Sequence, residues 1–157
     1  MVFNIFKKKA MNIVAPLNGT MIPIEDVPDP VFSQKMMGDG IAIEPESGHL
    51  YAPFDGEIIM VSPTKHAIAL RSDCGVEVLI HIGLETVALN GKGFLPAVKA
   101  GEHVKVGQLL IEVDWAVLAE RVESTVTPII ITKSDKKVEH GSMGPCVQGE
   151  TVILKCN

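Results

Sequence analysis

From Asn12 onward the chain alternates short apolar runs with breaks of Gly, Pro, Asp and Asn. Short runs bounded by turn formers are the signature of β-strands. Two segments echo each other, Ala15-Pro16-Leu17-Asn18-Gly19-Thr20-Met21 and Ala52-Pro53-Phe54-Asp55-Gly56-Glu57-Ile58, and so do Gly107-Gln108-Leu109-Leu110-Ile111 and Gly149-Glu150-Thr151-Val152-Ile153. Each reads as a turn feeding a strand. Many closely spaced strands with rough internal symmetry predict an all-β fold, an antiparallel β-sandwich or barrel-like structure with short helical segments. Helical spacing shows at one place, Trp115 to Glu123, where Val117, Leu118 and Val122 line a face. Residues 11–157 are expected to form a single domain behind a flexible basic and apolar tail over residues 1–10.

The most informative stretch runs from Thr64 to Gly83. Thr64-Lys65-His66-Ala67-Ile68-Ala69-Leu70-Arg71 and Val76-Glu77-Val78-Leu79-Ile80-His81-Ile82-Gly83 flank the polar break Ser72-Asp73-Cys74-Gly75, which is the pattern of a β-hairpin. If those four residues form the turn, Arg71 pairs with Val76, and counting along both strands brings His66 opposite His81. Side chains directly opposite have Cβ atoms roughly 5 Å apart on one face. A three-residue loop would shift the pairing by one and send the two rings to opposite faces. Two neighbouring imidazoles can share a phosphoryl group, a metal or a proton.

Composition narrows the function classes. The chain has 157 residues, 46% of them hydrophobic but only 4% aromatic, so its core is expected to be built from Val, Ile, Leu and Ala. The net charge is -5, with two arginines, Arg71 and Arg121, which argues against nucleic acid and for a basic protein partner. Three cysteines, Cys74, Cys146 and Cys156, lack CxxC spacing and read as free thiols of a reducing cytoplasm. No apolar run approaches the roughly 20 residues that span a bilayer. Residues 1–10 carry Phe3, Ile5 and Phe6 ahead of Lys7-Lys8-Lys9, the reverse of a signal peptide. They read as a frayed terminus or as a weak peripheral membrane contact.

Each candidate site has an ordinary explanation beside it. One strand histidine is usually incidental, but two at complementary hairpin positions, on the face of Ile68, Leu70 and Leu79, are harder to dismiss. Burial and mutual repulsion favour the neutral forms, and a neutral imidazole offers the lone pair that attack on phosphorus requires. Thr64, two residues before His66, is placed to bond that histidine and select its tautomer. Two histidines fall short of the three protein ligands usual for catalytic zinc, so no cofactor is required and zinc at His66 and His81 would be weak and opportunistic. The segment Asp26 to Gly40 sets Val31, Phe32, Met36 and Met37 among turn residues. Some of these tuck into the core, or together they form an exposed apolar rim that adapts to a partner. Asp29, Asp39 and Glu85 would be its acidic points. His49, His103 and His140 take no role.

These residues together carry a resemblance. Val27-Pro28-Asp29-Pro30-Val31-Phe32, Met36-Met37-Gly38-Asp39-Gly40-Ile41-Ala42-Ile43, Thr64-Lys65-His66-Ala67, and Gly75 through Val87 followed by Asn90-Gly91-Lys92-Gly93-Phe94 are similar to the glucose-type IIA component of the bacterial phosphoenolpyruvate-dependent sugar phosphotransferase system. The likeness runs from about Ile13 to Leu154. It implies an antiparallel β-sandwich with a shallow apolar depression, making residues 11–157 one glucose-type IIA domain. His81 would take a phosphoryl group from the histidine phosphocarrier protein and pass it to a cysteine on the IIB domain of a membrane sugar transporter. His66 would hydrogen-bond the phosphoryl group, and Thr64 would stand beside the pair. Phe32, Met36 and Met37 would line the docking rim, with Asp29 and Glu85 available to the carrier's basic residues. The chain departs from the pattern at Ser62-Pro63, where a bulkier, more apolar approach is expected. The Met1 start argues mildly for a stand-alone component. Two other readings compete. A biotinyl- or lipoyl-type carrier would need a lysine at the hairpin tip, where this chain has Asp73-Cys74; a purely regulatory binding protein would use the same rim.

Overall fold

The structure is a computed structural model that describes residues 10–157; the N-terminal tail, expected to be a frayed terminus or a weak membrane contact, lies outside the described residues apart from Ala10. Fourteen strands follow in chain order: β1 (Met11–Val14), β2 (Asn18–Pro23), β3 (Asp39–Ser47), β4 (Leu50–Tyr51), β5 (Gly56–Val61), β6 (Ala67–Ser72), β7 (Glu77–His81), β8 (Phe94–Pro96), β9 (His103–Val104), β10 (Leu109–Val113), β11 (Thr127–Lys133), β12 (Val138–His140), β13 (Gly144–Cys146) and β14 (Val152–Cys156). They build an eight-stranded sheet in the order β13-β2-β3-β11-β7-β6-β5-β9 and two three-stranded sheets, β1-β14-β12 and β4-β10-β8. The pairings are antiparallel, in agreement with the all-β reading.

The main core lies between the large sheet and the two small ones, and draws Ile41, Ile43, Ile129, Ile131, Leu110 and Ile153 from all three. The uninterrupted Ile129-Ile130-Ile131 run shows why the central strands look apolar on both sides. Ile129 and Ile131 enter the main core, whereas Ile130 and its neighbour Ala42 of β3 face a second cluster with Ile24, Val27, Phe32, Leu84 and Val126. Period-two alternation thus serves two buried faces. The segment between β2 and β3 covers that second face.

The echoed segments turn out to pair with one another. Ala15 N–H donates to Thr151 O and Gly149 N–H to Ala15 O, while Ala52 N–H donates to Gln108 O and Gly107 N–H to Ala52 O. Each Ala-Pro turn is stitched to one Gly-initiated strand.

Among the described residues two short α-helices interrupt the strands, besides the single 3-10 turns Ile24–Asp26 and Thr86–Leu89. α1 (Pro30–Ser33) was absent from the sequence reading; Pro30 sits at its first position and the Asp29 carboxylate caps it, accepting the Val31 N–H at 3.0 Å. α2 (Trp115–Arg121) matches the expected helix but stops earlier, with the Asp114 side chain at its start and Leu118 fully buried.

The hairpin register differs from the expectation. Arg71 pairs with Glu77, Ile68 with Ile80 and Ala67 with His81. Ser72 belongs to the ladder, its N–H donating to Val76 O at 2.9 Å, and Gly75 closes the turn at φ +89 by donating to Ser72 O. The loop therefore has three residues with a left-handed glycine at the end, the geometry that shifts pairing by one.

Candidate functional site

With Ala67 opposite His81, His66 is not a rung partner of His81, and the counting that placed the rings face to face does not hold. The rings nonetheless meet, with centroids 4.7 Å apart and planes at 76°. Both histidines lie at the end of the ladder, where strict alternation lapses. Lys65 adopts φ +65 just before His66, and the His66 carbonyl takes one further ladder bond from Ile82 N–H at 2.8 Å. The His66 ring comes from the main-core side, 6.5 Å from Phe94; the His81 ring lies 5.2 Å from Phe32 of the second cluster. The pair bridges the two cores.

A tight loop presents His66. Ser62 N–H donates to Ala67 O at 2.9 Å, Lys65 N–H to Ser62 O at 2.8 Å, and Ala67 N–H to Ser62 Oγ at 3.1 Å. Thr64 Oγ1 lies 2.8 Å from His66 Nδ1, the contact anticipated from its spacing, and Ser62 Oγ lies 3.5 Å from the same nitrogen. His81 is fixed differently. Its Nδ1 is 2.7 Å from Gly83 O, and a carbonyl oxygen only accepts, so Nδ1 carries the proton and the neutral ring keeps its lone pair on Nε2. Gly83 holds that carbonyl in place at φ +73, and the next turn is anchored by buried Thr86, whose hydroxyl donates to Ile82 O at 2.7 Å.

Burial pushes the His81 pKa below its ordinary 6.5, against the Gly83 carbonyl and the Asp29 carboxylate, which favour the cation. Burial, joined by repulsion from His81, lowers that of His66, and a backbone bond at Thr64 opposes it. His66 is only 6% exposed. At neutral pH the site is a pair of neutral imidazoles.

The rim is assembled in part as expected. Val31, Met36 and Met37 are exposed, Met36 by 68%, but Phe32 is 4% exposed and belongs to the second core rather than to an open rim, its ring tilted at 57° to that of His81. The turn before β3 needs an apolar anchor, and Phe32 provides it. Val87, 56% exposed, was missed. Asp29 and Glu85 share a groove of about 410 Å³ with Pro28, Pro30, Leu84 and Glu123. Glu123 carried no sequence signal, since the chain folds it back across almost forty residues.

Asp39 stands apart from this groove. It sits in β3 opposite Ile131, beyond Ala42 and Pro128 at the His81 level, and its carboxylate bonds His140 Nε2 at 3.0 Å and pairs with Lys35 at 3.6 Å. Although burial raises its pKa, the His140 bond, the Gly40 N–H and the nearby charges bring it below the usual 3.8. His140 and His49, given no role, are structural: His49 Nδ1 accepts the Val113 N–H at 3.0 Å. Among the described residues no cluster of three or more His, Cys, Asp or Glu is placed for a metal, and the three cysteines are unpaired.

The family model for the phosphoenolpyruvate-dependent sugar phosphotransferase system, EIIA 1, matches residues 11–137. The chain belongs to this family. A glucose-specific EIIA component of Halalkalibacterium halodurans is 56% identical over 124 residues, 79% of this chain and 72% of that protein. A glucose-specific EIICBA component of Staphylococcus carnosus is 51% identical over 143 residues, 90% of this chain but 21% of the longer protein. The solved glucose permease IIA from Mycoplasma capricolum superposes with a TM-score of 0.89 at 40% identity, over 94% of this chain and 96% of that one. This EIIA-family chain is thus a component of a sugar phosphotransferase system, and it shares its fold with the solved IIA structure. Among its described residues no helix is long and apolar enough to cross a membrane.

Proposed function

We propose that the chain relays a phosphoryl group through His81. Nε2 attacks the phosphorus of a phosphohistidine on the carrier protein; the Nε2–P bond forms as the carrier's N–P bond breaks, and the electron pair of the broken bond stays on the carrier's ring. In the second half-reaction a cysteine thiolate of a IIB domain attacks the same phosphorus, the S–P bond forms as the Nε2–P bond breaks, and the pair returns to Nε2. His66 donates a hydrogen bond from its own Nε2–H to a phosphoryl oxygen, with Thr64 holding Nδ1. Positioning supplies most of the effect, because the reaction needs two aligned nucleophiles and little covalent machinery. The observation that carries this reading is the 2.7 Å bond from His81 Nδ1 to Gly83 O, which commits the lone pair to Nε2 beside a second neutral imidazole.

The exposed Val31, Met36 and Met37 offer both partners an adaptable apolar contact, and Asp29 and Glu85 receive the carrier's basic residues. Residues 11–157 act as the IIA unit in the cytoplasm, facing the transporter, without a required cofactor; zinc at the two imidazoles would be weak. Intact mass after incubation with phosphoenolpyruvate and the upstream proteins tests the reading. The expected gain is one acid-labile phosphoryl group, absent in His81→Ala. Undiminished labelling of His81→Ala, or attachment of biotin or lipoate to the chain in cells, would overturn it.

A further inference from the structure

Ser62 stands where the chain departs from the family pattern, with a small hydroxyl in place of the expected bulky apolar residue. Its surroundings take up both backbone groups and one of the two lone pairs of its hydroxyl. The backbone N–H and carbonyl are spent on Ala67 and Lys65 within the loop, which fixes the side chain, and one lone pair of Oγ accepts the Ala67 N–H at 3.1 Å. The single hydroxyl proton is left, and His66 Nδ1 lies 3.5 Å away. Thr64 Oγ1 faces that nitrogen too, at 2.8 Å.

We infer that Ser62 is a positioning residue: together with Thr64 it forms a two-hydroxyl cradle that keeps the lone pair of His66 on Nδ1 and the proton on Nε2. With a lone pair on Nδ1, both hydroxyl protons point at an acceptor. With a proton on Nδ1, that N–H donates to Thr64 Oγ1 at 2.8 Å and the Ser62 hydroxyl proton loses its acceptor. The tautomer with Nε2–H is the one that donates to the transferred group, so the consequence for catalysis rests on the relay reading, while the cradle itself does not.

Distance sets the order of the two hydroxyls. The Thr64 contact is of full hydrogen-bond length, and the Ser62 contact is at the outer limit. Thr64 dominates in the intact protein and Ser62 acts as its reserve. The two therefore couple: removing Ser62 matters most when Thr64 has already been removed.

The test is a double-mutant cycle read in two ways. ¹⁵N-histidine NMR reports which nitrogen of His66 is protonated, and single-turnover assays measure phosphoryl transfer from His81 onward to the IIB acceptor. Ser62→Ala alone should change transfer by less than about twofold, Thr64→Ala should lower it about fivefold, and adding Ser62→Ala to Thr64→Ala should lower it about fivefold again, in line with one modest hydrogen bond per step. The His66 spectrum should stay with Nε2–H in Ser62→Ala, shift partly toward Nδ1–H in Thr64→Ala, and shift further in the double. Ser62→Thr, which keeps the hydroxyl, should match the parent in both backgrounds. The inference is overturned if the double variant equals Thr64→Ala in both readouts, or if His66 in the parent protein carries its proton on Nδ1. If the spectra respond as stated but no variant, nor the parent, is phosphorylated at His81, the relay reading fails and the cradle stands.

Discussion

Replacing Gly83 with alanine probes the fold and the site together. Gly83 lies at φ +73, where an L side chain is strained, and a Cβ there would stand 2.7 Å from Cγ2 of Thr86 and 3.4 Å from Ser124 O. The left-handed backbone costs about 1–2 kcal/mol. The steric conflict adds about 1–3 kcal/mol, because Thr86 is fully buried and tied by its hydroxyl to Ile82 O, so it cannot swing aside. Together Gly83→Ala should lose about 2–5 kcal/mol, or roughly 5–15 °C in Tm for a chain of this size. Gly75→Ala is the control: it has φ +89 with nothing within 4 Å, so only the backbone cost of about 1–2 kcal/mol applies. Thr86→Ser removes Cγ2 and keeps the hydroxyl; combined with Gly83→Ala it should recover the steric part. Urea midpoints at constant m measure all four proteins. Because the Gly83 carbonyl holds His81 Nδ1–H, Gly83→Ala should also slow phosphoryl acceptance beyond its loss of folded fraction. Equal destabilisation by Gly83→Ala and Gly75→Ala, or no recovery with Thr86→Ser, would refute the packing argument.

His66→Gln should leave acceptance at His81 intact and slow onward transfer, since an amide still donates a hydrogen bond; wild-type behaviour in both half-reactions would remove His66 from the mechanism. The fold should also lose stability in mild acid. His66 and His81 have folded pKa values below 6.5, so their contribution is complete above pH 6.5 and is lost as pH falls from there through the lowered folded values, the unfolded chain taking up the protons first. Each site contributes up to about 1.4 kcal/mol per pH unit within that window. Urea midpoints between about pH 7 and pH 5 should fall less steeply in His66→Gln than in the parent, and parallel slopes would contradict the burial of that ring. Asp39→Asn disrupts a partly exposed pair and should cost less than about 1 kcal/mol while leaving phosphoryl acceptance unchanged; a marked drop in acceptance would return Asp39 to the site.

The strands, the echoed turns, the helix at Trp115 and the hairpin carrying both histidines were all readable, because period and turn chemistry are local properties. What escaped depends on backbone states that composition does not encode. Ser72 looks like a turn residue yet keeps its ladder bond, and that one difference moved the register. Lys65 gives no sign in the sequence of its left-handed φ of +65, just before His66. The resemblance puts Phe32 on the rim while the residues alone leave a place in the core open; the second core, formed by residues as distant as Ile130, is what buries it. Asp39 was grouped with Asp29 by sequence proximity, and its partner His140 lies 101 residues away. Gly83, unremarkable in the sequence, sets the His81 tautomer through its carbonyl.

The antiparallel match of Met11 with Cys156 has a consequence for how this unit is carried by larger chains. The first and last described strands run side by side in a small sheet, so the domain enters and leaves at one place, while the histidines occupy the end of a different sheet. A longer polypeptide can therefore join it at that one place; in the Staphylococcus relative the matching region is about a fifth of the length. Such a junction constrains only where the unit floats relative to its neighbours. On the proposed relay, it would raise the local concentration of His81 near an acceptor without entering the reacting geometry, so free and fused forms would differ in encounter frequency.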